Sequence, residues 1–422
     1  MSDNSDDKKP MLASLILAGD SQTEAITVND FIHMAQDISN AYLVNTNDGD
    51  VMINTGFMSS VDRNKELFQP VRQGPLCAIF LTQAHPDHYG GVPDFIEPVT
   101  QVIAGNAFVD TCQYFKMLDA YLRTRSGKIW SSTIKRRDLQ VPEVIPHIGV
   151  ETRQTFVIGE RTFEVIATPG GESPCAVVIW MPEERVVFTG NLFGPVFGSV
   201  PNLCTMRGDK PRSAKKWLTD LEKVRALNAD LLVTGHGEPI RGATAIKDQL
   251  DHMHAAVSYI HDKTVEGMNA GKDVHSLMRE IQLPSDMRIG EFHGKVLWAV
   301  RTIWEEYSGW FHMDSTTSLY GVPRSSINAD LLELAGGAAM LAERAAKLNT
   351  EEKPLEALHI TDIILDIEPQ NHAALAQKKR ALETLLAESG GQNMSETMWL
   401  KGQIAGTQQG LDGESLANTA PR

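Results

Sequence analysis

Short apolar runs rich in β-branched residues recur along the chain up to about residue 240 and then stop. The runs include AYLV, VMIN, CAIFLT, TFEVIA, AVVIWM, RVVFTG and DLLVTG, bounded by Gly, Pro, Asn or Asp. They predict strands, and the helical stretches around 108 to 123 and 212 to 228 between them predict a layered α/β arrangement. After about 243, Leu, Ala, Met and Glu recur at helical spacing without a clear strand. The pattern predicts an α/β domain followed by an all-α domain.

Four segments follow from this change of pattern. Residues 20–245 are predicted to form the α/β domain and residues 246–402 the helical domain. Residues 1–19 open with acidic residues and contain only a very short apolar run, and the tail from 403 is small and polar. Segments of this composition bury too little apolar surface to fold alone, so 1–19 and 403–422 are predicted to be disordered.

The chain is acidic, with 39 basic and 54 acidic residues and a formal net charge of -15. This charge repels nucleic acid and anionic membrane surfaces, so neither is expected as a partner. The first twenty residues fit neither a signal peptide nor a membrane span, and no later segment approaches the roughly 20 apolar residues that a spanning helix needs. We therefore expect a cytoplasmic protein.

The segment TQAHPDHYGG, at 82–91, directly follows an apolar run and offers three candidate metal ligands, His85, Asp87 and His88. Zinc favours imidazole nitrogen and carboxylate oxygen, and a catalytic site uses about three protein ligands and leaves a position open for water. A loop after a strand has no fixed side-chain period. These three side chains can therefore point into one cavity without sharing one ion, and two adjacent ions also fit the pattern.

Three more loops in the same half follow apolar runs, and each offers one candidate ligand. They are ATPGGES with Glu172, FTGNLFG with Asn191 and VTGHGEP with His236. Together with the first cluster, these motifs resemble the metallo-β-lactamase superfamily. The resemblance covers roughly residues 20 to 240 and implies an αββα sandwich with metal at one edge.

Within that superfamily the chain is most similar to the alkylsulfatase group. An acid, Glu172, follows the Thr-Pro-Gly turn as it does in that group, and the helical segments 259–284 and 299–311 resemble the alkylsulfatase dimerisation domain. The resemblance implies a small anionic or ester substrate, with an alkyl sulfate ester as the leading choice. It also implies a homodimer.

The segment PNLCTMRGDKPR, at 201–212, resembles the part of the alkylsulfatases that holds the sulfate. By this resemblance, Asn202, Thr205 and Arg207 are candidate substrate contacts. A guanidinium can bind two oxygens at once, which favours Arg207 for the anion. With Asp209 only two residues away, a surface salt bridge is an equally good interpretation of Arg207.

The resemblance also implies two ligand sets. One ion would be held by position 83, His85 and Glu172, and the other by Asp87, His88 and His236, with position 191 between them. This chain departs from the pattern at two positions, because Gln83 stands in place of a histidine and Asn191 in place of an acid.

Glutamine and asparagine offer only a neutral amide oxygen or a poor nitrogen donor, so both departures weaken the predicted dinuclear site. We predict one firm ion at Asp87, His88 and His236. The second position, around His85 and Glu172, is predicted to be weak or selective for a harder ion such as manganese. Zinc is the expected cofactor, with manganese or iron as alternatives.

A single bound ion can lower the pKa of a water to about 7 and so prepare it to attack an ester-type bond. Asp87 is the candidate for orienting that water. Hydrolysis of another ester, a thioester or a lactone competes with alkyl sulfate hydrolysis, because an activated water does not by itself select the leaving group. The alternative outside catalysis is a binding or regulatory protein with a degenerate metal site.

Overall fold

The computed structural model of the chain describes residues 11–130 and 140–413. These residues form two compact units. The larger contains residues 11–126 and 140–307, and the smaller contains residues 127–130 and 308–413.

Two β-sheets form the centre of the larger unit. The first has seven strands in the order β1 (Ile26–Asn29), β2 (Ile32–Ala35), β3 (Ala41–Thr46), β4 (Gly49–Ile53), β5 (Leu76–Leu81), β6 (Gln101–Gly105) and β7 (Ile148–Val150). Its neighbours pair antiparallel as far as β4 and parallel from β4 to β7. The second sheet has the spatial order β13-β12-β11-β10-β9-β8, from β8 (Arg153–Ile158), β9 (Arg161–Ala167), β10 (Val177–Met181), β11 (Val186–Gly190), β12 (Leu231–Thr234) and β13 (Ile240–Arg241).

The main core lies between the two sheets. Phe80 of β5, Phe163 of β9 and Phe188 of β11 belong to one buried apolar cluster with side chains of both sheets. The rings of Phe80 and Phe163 stack with their centroids 5.4 Å apart. Strands that are buried on both faces read as continuous apolar runs, which is why β5 has the sequence LCAIFL.

Helices cover the outer faces of both sheets in the larger unit. The helices that lie wholly or partly in the larger unit are α1 (Met11–Ile16), α2 (Val61–Phe68), α3 (Pro86–Tyr89), α4 (Val92–Phe95), α5 (Phe108–Met117), α6 (Asp119–Trp130), α7 (Ala214–Ala226), α8 (Ala243–Asn269), α9 (Val274–Glu280) and α10 (Val296–Ser308), of which α6 and α10 end within the smaller unit. Phe68 of α2 and Phe108 of α5 pack on the first sheet. Trp217 of α7, Val257 of α8 and Ile303 of α10 pack on the second sheet. The predicted αββα sandwich is confirmed.

The smaller unit is helical. Its helices are α11 (Asn328–Leu334), α12 (Ala338–Thr350), α13 (Pro354–Ile367), α14 (His372–Glu388) and α15 (Met394–Leu411). Helices α12 to α15 pack in sequence, each on the next, and Leu348, Ala357 and Ala381 form a small buried cluster. Asn371 and Asn393 begin α14 and α15 by accepting a hydrogen bond from a backbone N–H three residues on, as N-caps do.

The structure differs from the sequence expectation at the ends and at the domain boundary. Residues 11–16 and 403–411 are helical, although both lie in segments predicted to be disordered. Leu12, Ile16 and Thr407 are buried, so tertiary contacts order these segments. Residues 1–10 and 414–422 lie outside the described residues. Residues 246–307 belong to the same compact unit as the sheets, because the apolar sides of α8 and α10 pack on the second sheet. The boundary between the α/β domain and the helical domain, placed at residues 245 and 246 from the sequence, stays a prediction.

No helix in the described parts of the chain combines the length and hydropathy needed to cross a membrane.

Candidate metal centre

The loops that carry the candidate ligands begin at the ends of β5, β9, β11 and β12. In the second sheet, β9 and β11 are both antiparallel to β10, and β12 is parallel to β11. The strands β9, β11 and β12 therefore run in one direction, and their carboxyl ends reach the same edge. This topology brings loops from distant parts of the sequence to one side of the sandwich.

Three side chains from two of these loops form a compact cluster, Asp87, His88 and His236. One ligand atom of each lies within 4.8 Å of the other two. Asp87 Oδ2 is 3.6 Å from His88 Nε2 and 4.0 Å from His236 Nε2. His88 is fully buried, whereas the side chain of Asp87 is 21% exposed, so the cluster reaches solvent at Asp87. Two imidazoles and a carboxylate fit the three-ligand set of a catalytic metal site.

The ring of His88 is held in place from its other nitrogen. Ser39 Oγ, Asn54 Nδ2 and Thr82 Oγ1 lie 3.2, 3.0 and 3.2 Å from His88 Nδ1. The hydroxyl oxygens of Ser39 and Thr82 can accept from a protonated Nδ1, because these hydroxyls donate to the carbonyl of Gly235 and to Asn54 Oδ1, whereas Asn54 Nδ2 can only donate to an unprotonated Nδ1. With Nδ1 protonated, Nε2 is free of hydrogen and can bind a metal, and partners of this kind commonly orient a ligating histidine.

The protonation states of the cluster suit a cation. Burial lowers the pKa of His88 to about 3, and burial also lowers the pKa of His236. Burial acts to raise the pKa of Asp87, but the neighbouring His88, His236 and His85 outweigh it and the pKa falls below its usual value. At neutral pH the two imidazoles are therefore neutral and the carboxylate is ionised, which is the state that binds a metal.

The second predicted ligand set has different partners. Gln83 Nε2 lies 2.6 Å from His85 Nδ1 and 3.1 Å from His88 Nε2. Glu172 Oε2 forms a 3.0 Å ion pair with Arg212 Nη1, and both side chains are buried. Glu172 Oε1 is 3.8 Å from His85 Nδ1. The structure thus brings Gln83, His85 and Glu172 together. The guanidinium of Arg212 adds a positive charge beside them.

Asn191 follows the end of β11 and is buried at the same edge. The preceding Gly190 has φ +52°, and a Cβ there would lie 2.5 Å from Thr82 Oγ1, so glycine is required. The buried Asn191 Oδ1 has no hydrogen-bond partner among the described residues. Asn191 therefore presents an unpaired polar atom inside this edge of the sandwich.

Arg207 forms an ion pair with Asp209, two residues further along the chain. Its Nη2 lies 3.7 Å from Asp209 Oδ2, and its side chain is 30% exposed. Asp209 Oδ2 also lies 3.9 Å from His85 Nε2, which brings segment 201–212 next to the loops that carry the candidate ligands. Burial acts to raise the pKa of Asp209, but His85, Arg212 and Arg207 outweigh it and lower the pKa to about 2.

Two side-chain oxygens of segment 201–212 are buried without a hydrogen-bond partner among the described residues, namely Asn202 Oδ1 and Thr205 Oγ1. The amide nitrogen of Asn202 lies 3.3 Å from Nε2 of His293. A buried polar group without a partner is costly, and a bound ligand is one way to satisfy it.

Two protein-family profiles match the chain. The metallo-beta-lactamase superfamily profile matches residues 34–236, and the alkyl sulfatase dimerisation profile matches residues 274–403. Residues 34–236 therefore carry a metallo-beta-lactamase domain, and residues 274–403 carry an alkyl sulfatase dimerisation domain. The resemblance inferred from the four loop motifs and the helical half is therefore confirmed, and the superfamily domain contains the whole Asp87, His88 and His236 cluster.

Curated relatives match across both domains. The chain is similar to a linear primary-alkylsulfatase of Pseudomonas sp. (strain ATCC 19151), at 28% identity over 70% of this chain and 60% of the relative. It is also similar to an alkyl/aryl-sulfatase of Saccharomyces cerevisiae, at 23% identity over 91% of this chain and 63% of the relative. The chain thus spans less than two thirds of the length of these proteins.

Among solved structures, the sec-alkylsulfatase Pisa1 from Pseudomonas sp. superposes with a TM-score of 0.79 at 20% identity, covering 93% of this chain and 66% of that one. At this identity the match concerns the fold. It extends through the helical half as well as the metallo-β-lactamase sandwich.

Sequence reasoning missed several residues of the metallo-β-lactamase edge. Arg212 lies in the segment already singled out for anion binding, but its pairing with Glu172 has no local signal. His293 lies among helices, far along the chain, and its surroundings became visible only in the fold. Burial, followed by the charges of Arg212, Arg207 and His236, lowers the pKa of His293 to about 3.

Proposed function

We propose that this chain is a metal-dependent hydrolase that cleaves alkyl sulfate esters. The observation that carries the proposal is the cluster of Asp87, His88 and His236 at one edge of a metallo-β-lactamase sandwich. The similarity to proteins named as alkylsulfatases, which extends into the helical half, supports the sulfate ester as substrate.

Asp87, His88 and His236 would hold the ion. Zinc suits this mixed imidazole and carboxylate set, and manganese or iron are the alternatives. When bound, the ion supplies Lewis acidity, which lowers the pKa of a coordinated water towards about 7. His85 and Glu172 are second-ion candidates by resemblance, together with Gln83 and Asn191.

Asp87 is the proposed catalytic residue. Its carboxylate is ionised, is the most exposed member of the cluster and can accept a hydrogen bond from the attacking water. Hydrolysis consumes one water and yields an alcohol and hydrogen sulfate.

Arg207, Asn202 and Thr205 are the proposed substrate contacts. The guanidinium of Arg207 is partly exposed and carries the charge that a sulfate monoester requires. The amide of Asn202 and the hydroxyl of Thr205 supply neutral polar groups, and the side-chain oxygens of both residues are buried without a partner. A small anion bound here would sit beside the metal-binding loops because Asp209 joins the same segment to His85.

We also propose that the protein is a homodimer. The segment matched by the dimerisation profile includes apolar side chains that are 74 to 84% exposed, at Trp310, Met313 and Leu334. Exposed apolar side chains of this size commonly mark a protein interface. Light scattering should give twice the chain mass, and Leu334→Asp should shift the protein towards the monomer. The cytoplasmic location stays a prediction from the sequence.

Metal content tests the ligand assignment. The purified protein should hold zinc, and His88→Ala and His236→Ala should each lose it, because two protein ligands bind the ion much more weakly than three. His254→Ala is the matched control, since His254 contacts Glu222 on the outer helices instead of the cluster. Equal metal content in all three variants would contradict the assignment.

Activity separates the proposed reaction from its alternatives. Decyl sulfate should release sulfate, a chelator should stop the release, and added zinc should restore it. Decyl acetate, a decanoyl thioester and a lactone of similar size test the other hydrolytic activities under the same conditions. Metal binding without turnover of any of these substrates would favour the binding or regulatory alternative.

A further inference from the structure

The side chains that the resemblance assigns to a second ion, Gln83, His85 and Glu172, contact one another or Arg212. Gln83 lies against His85, with Nε2 2.6 Å from Nδ1, and Arg212 is paired with Glu172 at 3.0 Å. Gln83 Nε2, His85 Nδ1 and Glu172 Oε2 therefore have partners from the chain itself, while His85 Nε2 and Asn191 Oδ1 are buried without a hydrogen-bond partner among the described residues. In the Asp87, His88 and His236 cluster the ligand atoms lie 3.6 to 4.0 Å apart, and Gln83 Nε2 lies 3.1 Å from His88 Nε2.

The contact between Gln83 and His85 leaves little room for a second ion beside His85 Nδ1. Two ligands on one tetrahedral ion with bonds of about 2.0 to 2.1 Å are about 3.3 Å apart. Gln83 Nε2 and His85 Nδ1 are 2.6 Å apart, which is a hydrogen-bond distance, so the amide of Gln83 fills the space that an ion bound to Nδ1 would need. Only His85 Nδ1 and Glu172 Oε1, at 3.8 Å, keep a spacing that an ion could bridge.

The charges oppose a second ion as well. Glu172 and Arg212 are 7% and 6% exposed, so the guanidinium neutralises the carboxylate where little water screens the pair. Arg212 also donates to the carbonyl of Asn202, at 2.7 Å. A divalent ion bound to Glu172 would therefore face a fixed positive charge, with no acid at position 191 to compensate it.

Arg212 is positioned by the backbone of its own segment. Its N–H donates to the carbonyl of Leu203 at 2.7 Å, which closes segment 201–212 into a loop. Arg125 braces the same loop by donating to the carbonyls of Met206 and Arg207, both at 2.8 Å. The guanidinium of Arg212 beside Glu172 is therefore held by the same loop that carries the proposed sulfate contacts.

We propose that this protein uses a single metal ion and that the Arg212 guanidinium, paired with Glu172, takes the electrostatic place of a second one. The contact with Gln83 occupies His85 Nδ1, the ring nitrogen that faces Glu172. The proposal rests on the proposed metal-dependent function, and it makes Arg212 a positioning residue that links the metal edge to the sulfate-binding loop.

Metal stoichiometry of the full chain tests this proposal without an activity measurement. Metal-free protein is titrated separately with zinc and with manganese, and bound metal is measured by mass spectrometry after gel filtration. We expect about one equivalent of either ion, and a manganese resonance spectrum typical of an isolated ion. Two equivalents, or a spectrum of coupled manganese ions, would overturn the single-ion proposal and leave the metal-dependent function intact. No binding at all would overturn both.

Variants give an independent readout of the same question. Glu172→Gln keeps a hydrogen-bond acceptor for Arg212 and should retain one equivalent of zinc with affinity changed less than about threefold, whereas His236→Ala should lose the ion. Loss of zinc in Glu172→Gln would show that Glu172 is a metal ligand and would overturn the proposal. The double change Gln83→His with Arg212→Met should gain a second equivalent; one equivalent in that folded variant would contradict the role given to Arg212.

Discussion

Replacing Arg212 by methionine removes the buried cation beside Glu172 while keeping most of the side-chain volume. Both partners are at most 7% exposed and their atoms are 3.0 Å apart, so the carboxylate would be left charged and almost without water. Breaking a buried pair in this way costs about 3 to 5 kcal/mol. The lost hydrogen bond to the carbonyl of Asn202 adds about 1 kcal/mol.

The loss of folding stability in Arg212→Met should depend on pH. Burial raises the pKa of Glu172 and Arg212 opposes the rise, so removing Arg212 moves the pKa higher still. An acid whose pKa is higher in the folded state loses stability as pH rises above its unfolded value, because the folded protein holds the proton longer. Arg212→Met should therefore be most destabilising at pH 7.5 and should approach the wild type as pH falls towards about 4.5.

Urea denaturation of the metal-free protein, followed by tryptophan fluorescence at pH 7.5 and pH 5, measures the free energy of unfolding. Arg207→Met is the matched control, because Arg207 lies in the same segment but is 30% exposed and 3.7 Å from its partner. Its loss should stay below about 1 kcal/mol. Equal losses in the two variants, or a loss in Arg212→Met that is the same at both pH values, would refute the buried-pair argument.

Three further predictions concern the ring orientation, the acid sensitivity and the core. Thr82→Val removes the hydroxyl that lies 3.2 Å from His88 Nδ1 and should weaken zinc binding about 10-fold or more in a competitive chelator titration; unchanged affinity would contradict the orienting role. His293 has its pKa lowered to about 3, so the folded protein resists its protonation and stability is lost as pH falls from about 6.5. His293→Gln should reduce that loss by up to about 1.4 kcal/mol per pH unit, measured by urea denaturation of the metal-free protein at pH 7 and 5, and an unchanged pH slope would speak against it. Trp217→Ala empties a fully buried site and breaks the hydrogen bond to the carbonyl of Leu192, so the urea midpoint should fall by an amount equivalent to about 3 to 5 kcal/mol; a loss under 1 kcal/mol would show that the outer layer can collapse around the cavity.

The single-ion site and the arginine pair have a common consequence for the proposed reaction. The loop that holds Arg212 also carries Asn202, Thr205 and Arg207, so a change at Glu172 reaches the sulfate contacts through backbone hydrogen bonds. Variants of Glu172 should therefore change the KM for decyl sulfate more than they change zinc content. This separates a positioning role from metal binding.

The strands, the αββα class and the loops that carry the candidate ligands were predictable because they depend on short-range patterns. A strand buried on both faces needs a continuous apolar run, and β5 with its following loop shows both the run and the ligands within about twenty residues. Ligand types and loop motifs at 82–91 and 233–239 are also local. The profile matches confirm the family that these motifs indicated.

The partners of those ligands were decided only by the tertiary structure. Glu172 and Arg212 are forty residues apart, and no periodicity in the sequence relates a turn after β9 to the end of a distant loop. The same holds for α8 and α10, whose apolar faces predict burial but not the surface they cover, which is the second sheet. Local patterns fix which residues can be buried or can bind a cation. Which groups meet depends on how the sheets and loops pack, because contacts between distant segments form only when the whole sandwich closes.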